Sequence, residues 1–237
     1  MTGKKLGPIV LGAGLAGATA LGTYILFIRP RILHWGATDD EIRRPLPGDD
    51  LVPHPRMRVT QAVTIHAPPA RIWPWLVQIG YKRAGWYSHD WIHRLLGVAG
   101  CVDDDRRSAE RIIPELQDLE VGDSVEVGPG MGYRVVGLEP DQAMILHINL
   151  DMGTWQSFDL ADAPPEKYLQ SSWSWVLDQV GKTRTRLVVR IQQDWNPGPL
   201  NTLMMRGLIE PGSFIMQRGS LLGSSGGRRP CDRSAGG

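Results

Sequence analysis

The strongest constraint on this chain is its opening: from Leu6 to Ile28 it reads LGPIVLGAGLAGATALGTYILFI, 23 residues without a charge. As a helix rising 1.5 Å per residue, such a run would cross roughly 30 Å of hydrocarbon. Lys4 and Lys5 precede it, Arg29 and Arg31 follow it, and Tyr24 sits near one end as an interfacial anchor would. The run also contains Gly12-x-Gly14-x-x-Gly17, the glycine spacing of dinucleotide-binding turns. That chemistry needs a strand leading in and an acidic residue about 20 positions on to hold a ribose. The next acids, Asp39 and Asp40, lie beyond Pro30, and no second β-α unit follows. Ala16-Gly17-Ala18 and Ala18-Thr19-Ala20 fit the small-x-small pattern of a cleaved signal, yet the apolar run continues past both. The expectation is a single-pass membrane protein whose residues 6–28 sit in the lipid bilayer. The flanking cations are balanced, so the side of the membrane is left open.

Charge excludes one class of partner. With 26 basic and 25 acidic side chains, the chain has no cationic excess with which to track a phosphate backbone, and no nucleic acid is expected. The two cysteines do not make a disulfide scaffold; Cys231 lies in the polar, glycine-rich tail. Nine tryptophans against three phenylalanines call for a large apolar space in which to place indoles.

Beyond the first 28 residues the pattern divides. Residues 29–55 are rich in proline and charge and read as a linker or an arm lying on the domain. MRVTQAVTI, from Met57, reads as a strand. In HAPPARIWPWLVQIG the prolines open a helix, with Ile72, Trp73, Leu76 and Ile79 at helical spacing. SHDWIHRLLG reads as a second short helix, with Ser88 at its cap. Strands are then expected over 124–127, 132–138, 143–149, 154–159, 171–178 and 183–192. Trp173, Trp175 and Leu177 share one face by alternation, and His147 falls opposite Leu146 and Ile148. A helical stripe from Leu200 to Leu222, interrupted at Pro211-Gly212, closes the chain before a disordered tail over 224–237.

Four segments carry a resemblance: VTIHAPPARIWPWLVQIGYKRAGWYSHDWI, RIIPELQDLEVGDSVEVGPGMGYRVVGLEP, SWSWVLDQVGKTRTRLVVR and LIEPGSFIMQRGSLLG. Together they resemble actinobacterial members of the START-like, polyketide cyclase/dehydrase-like (SRPBCC) superfamily, over about residues 57–223. The resemblance implies an α+β helix-grip fold over 56–223: a curved antiparallel sheet of about six or seven strands around a long C-terminal helix, with an apolar cavity between them. It further implies a hydrophobic small molecule or lipid as partner. Relatives include enzymes that cyclise or dehydrate aromatic precursors and others that only bind.

The residues themselves offer little catalytic machinery. There is no nucleophile motif, and GPGMG at 128–132 lacks the lysine and helix of a phosphate loop. His89 and His93 share a helix face without a third ligand, so no metal is expected, and no cofactor. The densest candidates are Tyr87, able to orient a carbonyl, and His89, able to move a proton near neutral pH. Trp73, Trp86, Trp91, Trp155, Trp173 and Trp175, with His147 if it points inward, are the candidate ligand-binding residues. The expected function is membrane-tethered binding of an apolar molecule in a cavity. A cyclase or dehydratase, and an interaction module with a filled cavity, are the alternatives. The oligomeric state is left open.

Overall fold

Six antiparallel strands pair in one sheet in the order β1-β6-β5-β4-β3-β2: β1 (Met57–Ile65), β2 (Ser124–Gly128), β3 (Met131–Glu139), β4 (Ala143–Asp151), β5 (Tyr168–Val180) and β6 (Arg184–Trp195). The architecture comes from a computed structural model that describes residues 19, 22–87, 107–158, 164–196, 198, 201–202 and 205–206. β5 and β6 are the longest strands and form a hairpin in strict register from Leu169↔Trp195 to Val180↔Arg184. β1 then pairs with β6, so the first strand of the sheet lies beside the last.

Alternation divides the side chains cleanly. One face carries Trp173, Trp175 and Leu177 of β5, Leu187 and Val189 of β6, Met144, Leu146 and Ile148 of β4, and Tyr133 and Val135 of β3. A short helix, α3 (Pro69–Val77), covers part of this face with Ile72, Leu76 and Val77. Pro69 begins it, where a missing N–H costs nothing.

The other face is covered by the chain that precedes β1. Helix α1 (Arg29–Leu33) lies on the first face, where Leu33 packs with Met57, Val59 and Trp195. The chain then crosses the β1 edge, and the Ala62 N–H donates to the Trp35 carbonyl at 3.2 Å. Gly36 makes that crossing with φ of +72°, and a Cβ there would overlap the Ala62 carbonyl oxygen. Helix α2 (Asp39–Arg43) follows on the second face. Its N-terminus carries a reciprocal capping box. Glu41 N donates to Thr38 Oγ1, and Thr38 N donates to Glu41 Oε2 at 2.7 Å.

Two arginines of β6 hold this arm down. Arg186 grips both oxygens of Glu41, Nε at 2.7 Å and Nη2 at 2.8 Å. Arg190, only 1% exposed, donates to Thr60 Oγ1, Asp49 Oδ2 and the carbonyls of Glu41, Ile42 and Arg44 at 2.6 to 3.1 Å. Every donor of the buried guanidinium is thereby used, which is what makes its burial tolerable. Leu46 and Leu51 then pack on Ala62, Ile145, Val176 and Val188.

The structure corrects several expectations. The sheet is open, with β1 and β2 as its two edges, so the helix-grip arrangement of a curved sheet wrapped around a long helix is not the fold described. The C-terminal stripe falls almost wholly outside the described residues, as does the helix expected from Ser88. The strand expected over 154–159 is instead a turn after β4, joined to it by a single bridge, Leu150↔Ser157. Among the described residues no helix is long and apolar enough to cross a membrane. The apolar run ends as one π turn, Tyr24–Ile28, passing directly into α1 with Pro30 in its first turn. A single-pass anchor over 6–28, a membrane location and a bilayer partner are therefore not supported; residues 1–18, 20 and 21 lie outside the described set.

Candidate functional site

The densest constellation lies on the first face of the sheet. β5 sets Trp173 and Trp175 two residues apart, so both indoles rise from the same side, with centroids 5.2 Å apart and planes at 36°. Trp86 stacks on Trp173 at 5.6 Å and 12°. Tyr133, from β3, meets Trp173 edge-on at 5.8 Å and 69°. Offset stacking and edge contact are the arrangements that ring quadrupoles favour.

The aromatic wall has a polar end. Ile148, Ser171 and Gln193 occupy one row across β4, β5 and β6. The buried Tyr133 hydroxyl donates to Ser171 Oγ at 2.9 Å. Burial pushes the Tyr133 phenol above its ordinary pKa, against the hydrogen bonds to Ser171 and Gln193. It is a neutral hydrogen-bonding group at physiological pH, not a phenolate. Three further polar atoms are buried here without a partner among the described residues: Trp173 Nε1, Trp175 Nε1 and Gln193 Oε1. Two donors and an acceptor on this face are thus buried and unpaired.

The segment that delivers Trp86 is fixed by a glutamine. Gln78, fully buried after α3, donates from Nε2 to the Tyr87 hydroxyl at 2.5 Å and to the Arg111 carbonyl at 3.1 Å, and its Oε1 accepts from Ile113 N at 2.9 Å. Tyr87 adopts a left-handed backbone, φ of +51°, and its ring meets Trp75 edge-on. Its hydroxyl is thus engaged with Gln78, a structural contact that ties 78 to 87. Gly80, with φ of +136°, and Gly85, with φ of +79°, pair in an isolated bridge that closes the same loop.

Of the residues expected to form a site, Trp73, Trp86, Trp173, Trp175 and Tyr87 all pack on this one core. Trp155 does not. It is 62% exposed, in a turn whose N–H groups at Gly153 and Thr154 donate to the Asp151 carboxylate. His147 lies on the opposite face of the sheet, opposite Ser172 and Arg134 in the strand register. His89 and Trp91 fall outside the described residues. Sequence reasoning missed Tyr133, Ser171, Gln193 and Gln78. Counting period two from Trp173 to Ser171 would have found one of them. The others depend on register between strands. Among the described residues, no group of three or more histidine, cysteine or acidic side chains is placed to hold a metal.

No family model matches the chain, and no curated protein matches it. Solved structures similar to it are distant. A protein from Rhizobium loti shares 14% identity, with 70% of this chain and 96% of that one covered, at a TM-score of 0.37. A conserved protein from Geobacillus kaustophilus shares 12% identity, with 71% and 93% covered, at 0.35. A hypothetical protein from Helicobacter pylori shares 13% identity, with 80% and 96% covered, at 0.41. Likeness at this level carries no argument about activity. With no matching family model and an open sheet, membership of the START-like superfamily is without support. The lipid-carrying and cyclase readings that rested on it go with it.

Proposed function

We propose that the chain binds a planar small molecule with polar edge groups, seated against Trp173 and Trp175 and reaching the row formed by Tyr133, Ser171 and Gln193. The observation that carries this reading is the set of unpaired buried atoms, Trp173 Nε1, Trp175 Nε1 and Gln193 Oε1. Buried polar groups in folded proteins are almost always paired, and leaving one unpaired costs about 1–3 kcal/mol. A ligand that accepts from the indoles and donates to the glutamine removes that cost. An aliphatic chain cannot, so the chemistry of the wall disfavours the apolar ligand expected from tryptophan content alone. The stacked indoles add the π surface that a flat ring system matches.

The reading involves binding without catalysis. The polar groups at the site are indole, amide, hydroxyl and a phenol held neutral, and none is a proton carrier at neutral pH. Native mass spectrometry of the chain purified from its own cells tests the proposal. A bound molecule of unsaturated, heteroatom-containing formula supports it; a saturated acyl chain contradicts it.

A further inference from the structure

The second face of the sheet holds another unsatisfied polar pair. His147 and Asn149 are alternate residues of β4, so their side chains leave the same face about 7 Å apart. Both are more than nine-tenths buried, at 6% and 8% exposed. His147 Nε2 and Asn149 Oδ1 have no hydrogen-bond partner among the described residues. The neighbouring strands add polar groups in register: Ser172 and Arg134 stand opposite His147, and Gln170 stands opposite Asn149. Of the two cations in this row, Arg134 is exposed and Arg58, at the far end, is engaged by Gln192.

The arm does not complete this pair. Its polar contacts on this face go to Asp178, Arg186, Arg190, Gln192 and Ser174; Ser174 Oγ donates to the Pro47 carbonyl at 2.6 Å. The nearest polar side chain beyond Ser172, Gln192, is engaged elsewhere. Its Oε1 accepts from Arg58 at 2.7 and 3.0 Å, and its Nε2 donates to the Asp49 carbonyl. None of these contacts satisfies His147 Nε2 or Asn149 Oδ1.

We propose that His147 and Asn149 form a binding site for a carboxamide-type group, with the His147 Nε2–H donating to its carbonyl and Asn149 Oδ1 accepting from its N–H. A neutral imidazole offers one donor, and an amide oxygen accepts; a primary amide presents the complementary edge. Burial lowers the His147 pKa, which keeps the ring neutral at pH 7 and consistent with an uncharged ligand. A carboxylate would bring no donor for Asn149. An alkylammonium would bring no acceptor for His147. This site is separated from the tryptophans by the sheet itself and stands independently of the ligand proposed there.

The test is NMR of the full chain with 15N-labelled histidine, titrated with acetamide, and with acetate and methylammonium in parallel. The His147 imidazole signals are assigned by their disappearance in H147Q. The expected result is a saturable shift of those signals with acetamide alone, retained in W173F and weakened at least tenfold in N149L. If N149L fails to fold, N149S shortens and redirects the acceptor without adding apolar bulk, and the same loss is expected. No shift with acetamide below the onset of unfolding overturns the proposal, as does an equal response to acetate or methylammonium.

Discussion

Ser171 and Ser172 are consecutive residues of β5, both buried, yet their hydroxyls serve opposite faces of the sheet. Ser171 accepts from Tyr133 beneath the tryptophans, while Ser172 lies beside Gln192 under the N-terminal arm. A single strand thus supplies polar groups to two layers that differ in cover and in chemistry. The first layer is an aromatic wall with a polar end. The second carries an apolar cluster and polar groups beneath an arm held down by arginines.

Arg190 is the main fastener of the arm. In R190M the carboxylate of Asp49 and three backbone carbonyls each lose a donor, and a loss of about 3–5 kcal/mol is expected. R190K keeps the charge but not the fork, and falls between the two. Urea unfolding curves for the three proteins check the order.

Acid should loosen the same arm. Hydrogen bonding from Arg186, above all, lowers the Glu41 pKa from 4.5 to about 2. A depressed carboxylate stabilises the fold above its unfolded pKa, and that stability is lost as pH falls from about 4.5 toward 2. Wild type should lose on the order of 2 kcal/mol across this window relative to E41Q, whose titration is removed. Equilibrium unfolding at pH 6, 4 and 3 measures the difference.

The edge crossing predicts a backbone defect. Gly36 combines a positive φ with a backbone oxygen where a Cβ would stand. G36A should cost on the order of 2 kcal/mol or more, through both strain and displacement of the arm. Thermal melts report the loss, and amide exchange at Ala62 reports whether its bond to Trp35 has opened.

The two faces of the sheet were legible in the sequence to different depths. Alternation at Trp173, Trp175 and Leu177 put these residues on one face, and the same counting set His147 apart from Leu146 and Ile148. Both followed because side-chain direction in a strand is a local, period-two property. Which strand pairs with which is not local, so the row Ile148, Ser171, Gln193 and the Tyr133 contact were out of reach. The arm was hidden for a related reason. Residues 29–55 show proline and charge but no period. Their order comes from Arg186 and Arg190, roughly 140 to 150 residues later, binding Glu41 and its neighbours. The apolar opening misled in a different way. Hydropathy counts apolar residues along the sequence, whereas a span needs one long helix, and among the described residues no helix is long and apolar enough to cross a membrane. Composition misled as well: nine tryptophans suggested an apolar pocket, whereas the unpaired indole N–H groups make the wall polar at its edge.

Trp173 separates packing from recognition. W173F retains a ring against Trp86 and Tyr133 but removes a buried donor without a partner. Loss of packing area and removal of an unsatisfied group act in opposite directions, so the stability change should stay within about 1.5 kcal/mol. Chemical denaturation of the purified variant checks this. W173A, which empties the centre of the cluster, should cost about 3–5 kcal/mol.

Calorimetric titration of wild type and W173F decides whether Trp173 belongs to a ligand site. The probes are benzimidazole, a flat heteroaromatic with a donor and an acceptor, and decanoate, an aliphatic control. Benzimidazole is expected to bind the wild type at one site, at least tenfold more weakly in W173F, and decanoate is expected not to bind. Binding of decanoate in preference to benzimidazole, or benzimidazole binding unchanged in W173F, would rule out a planar-ligand site at Trp173.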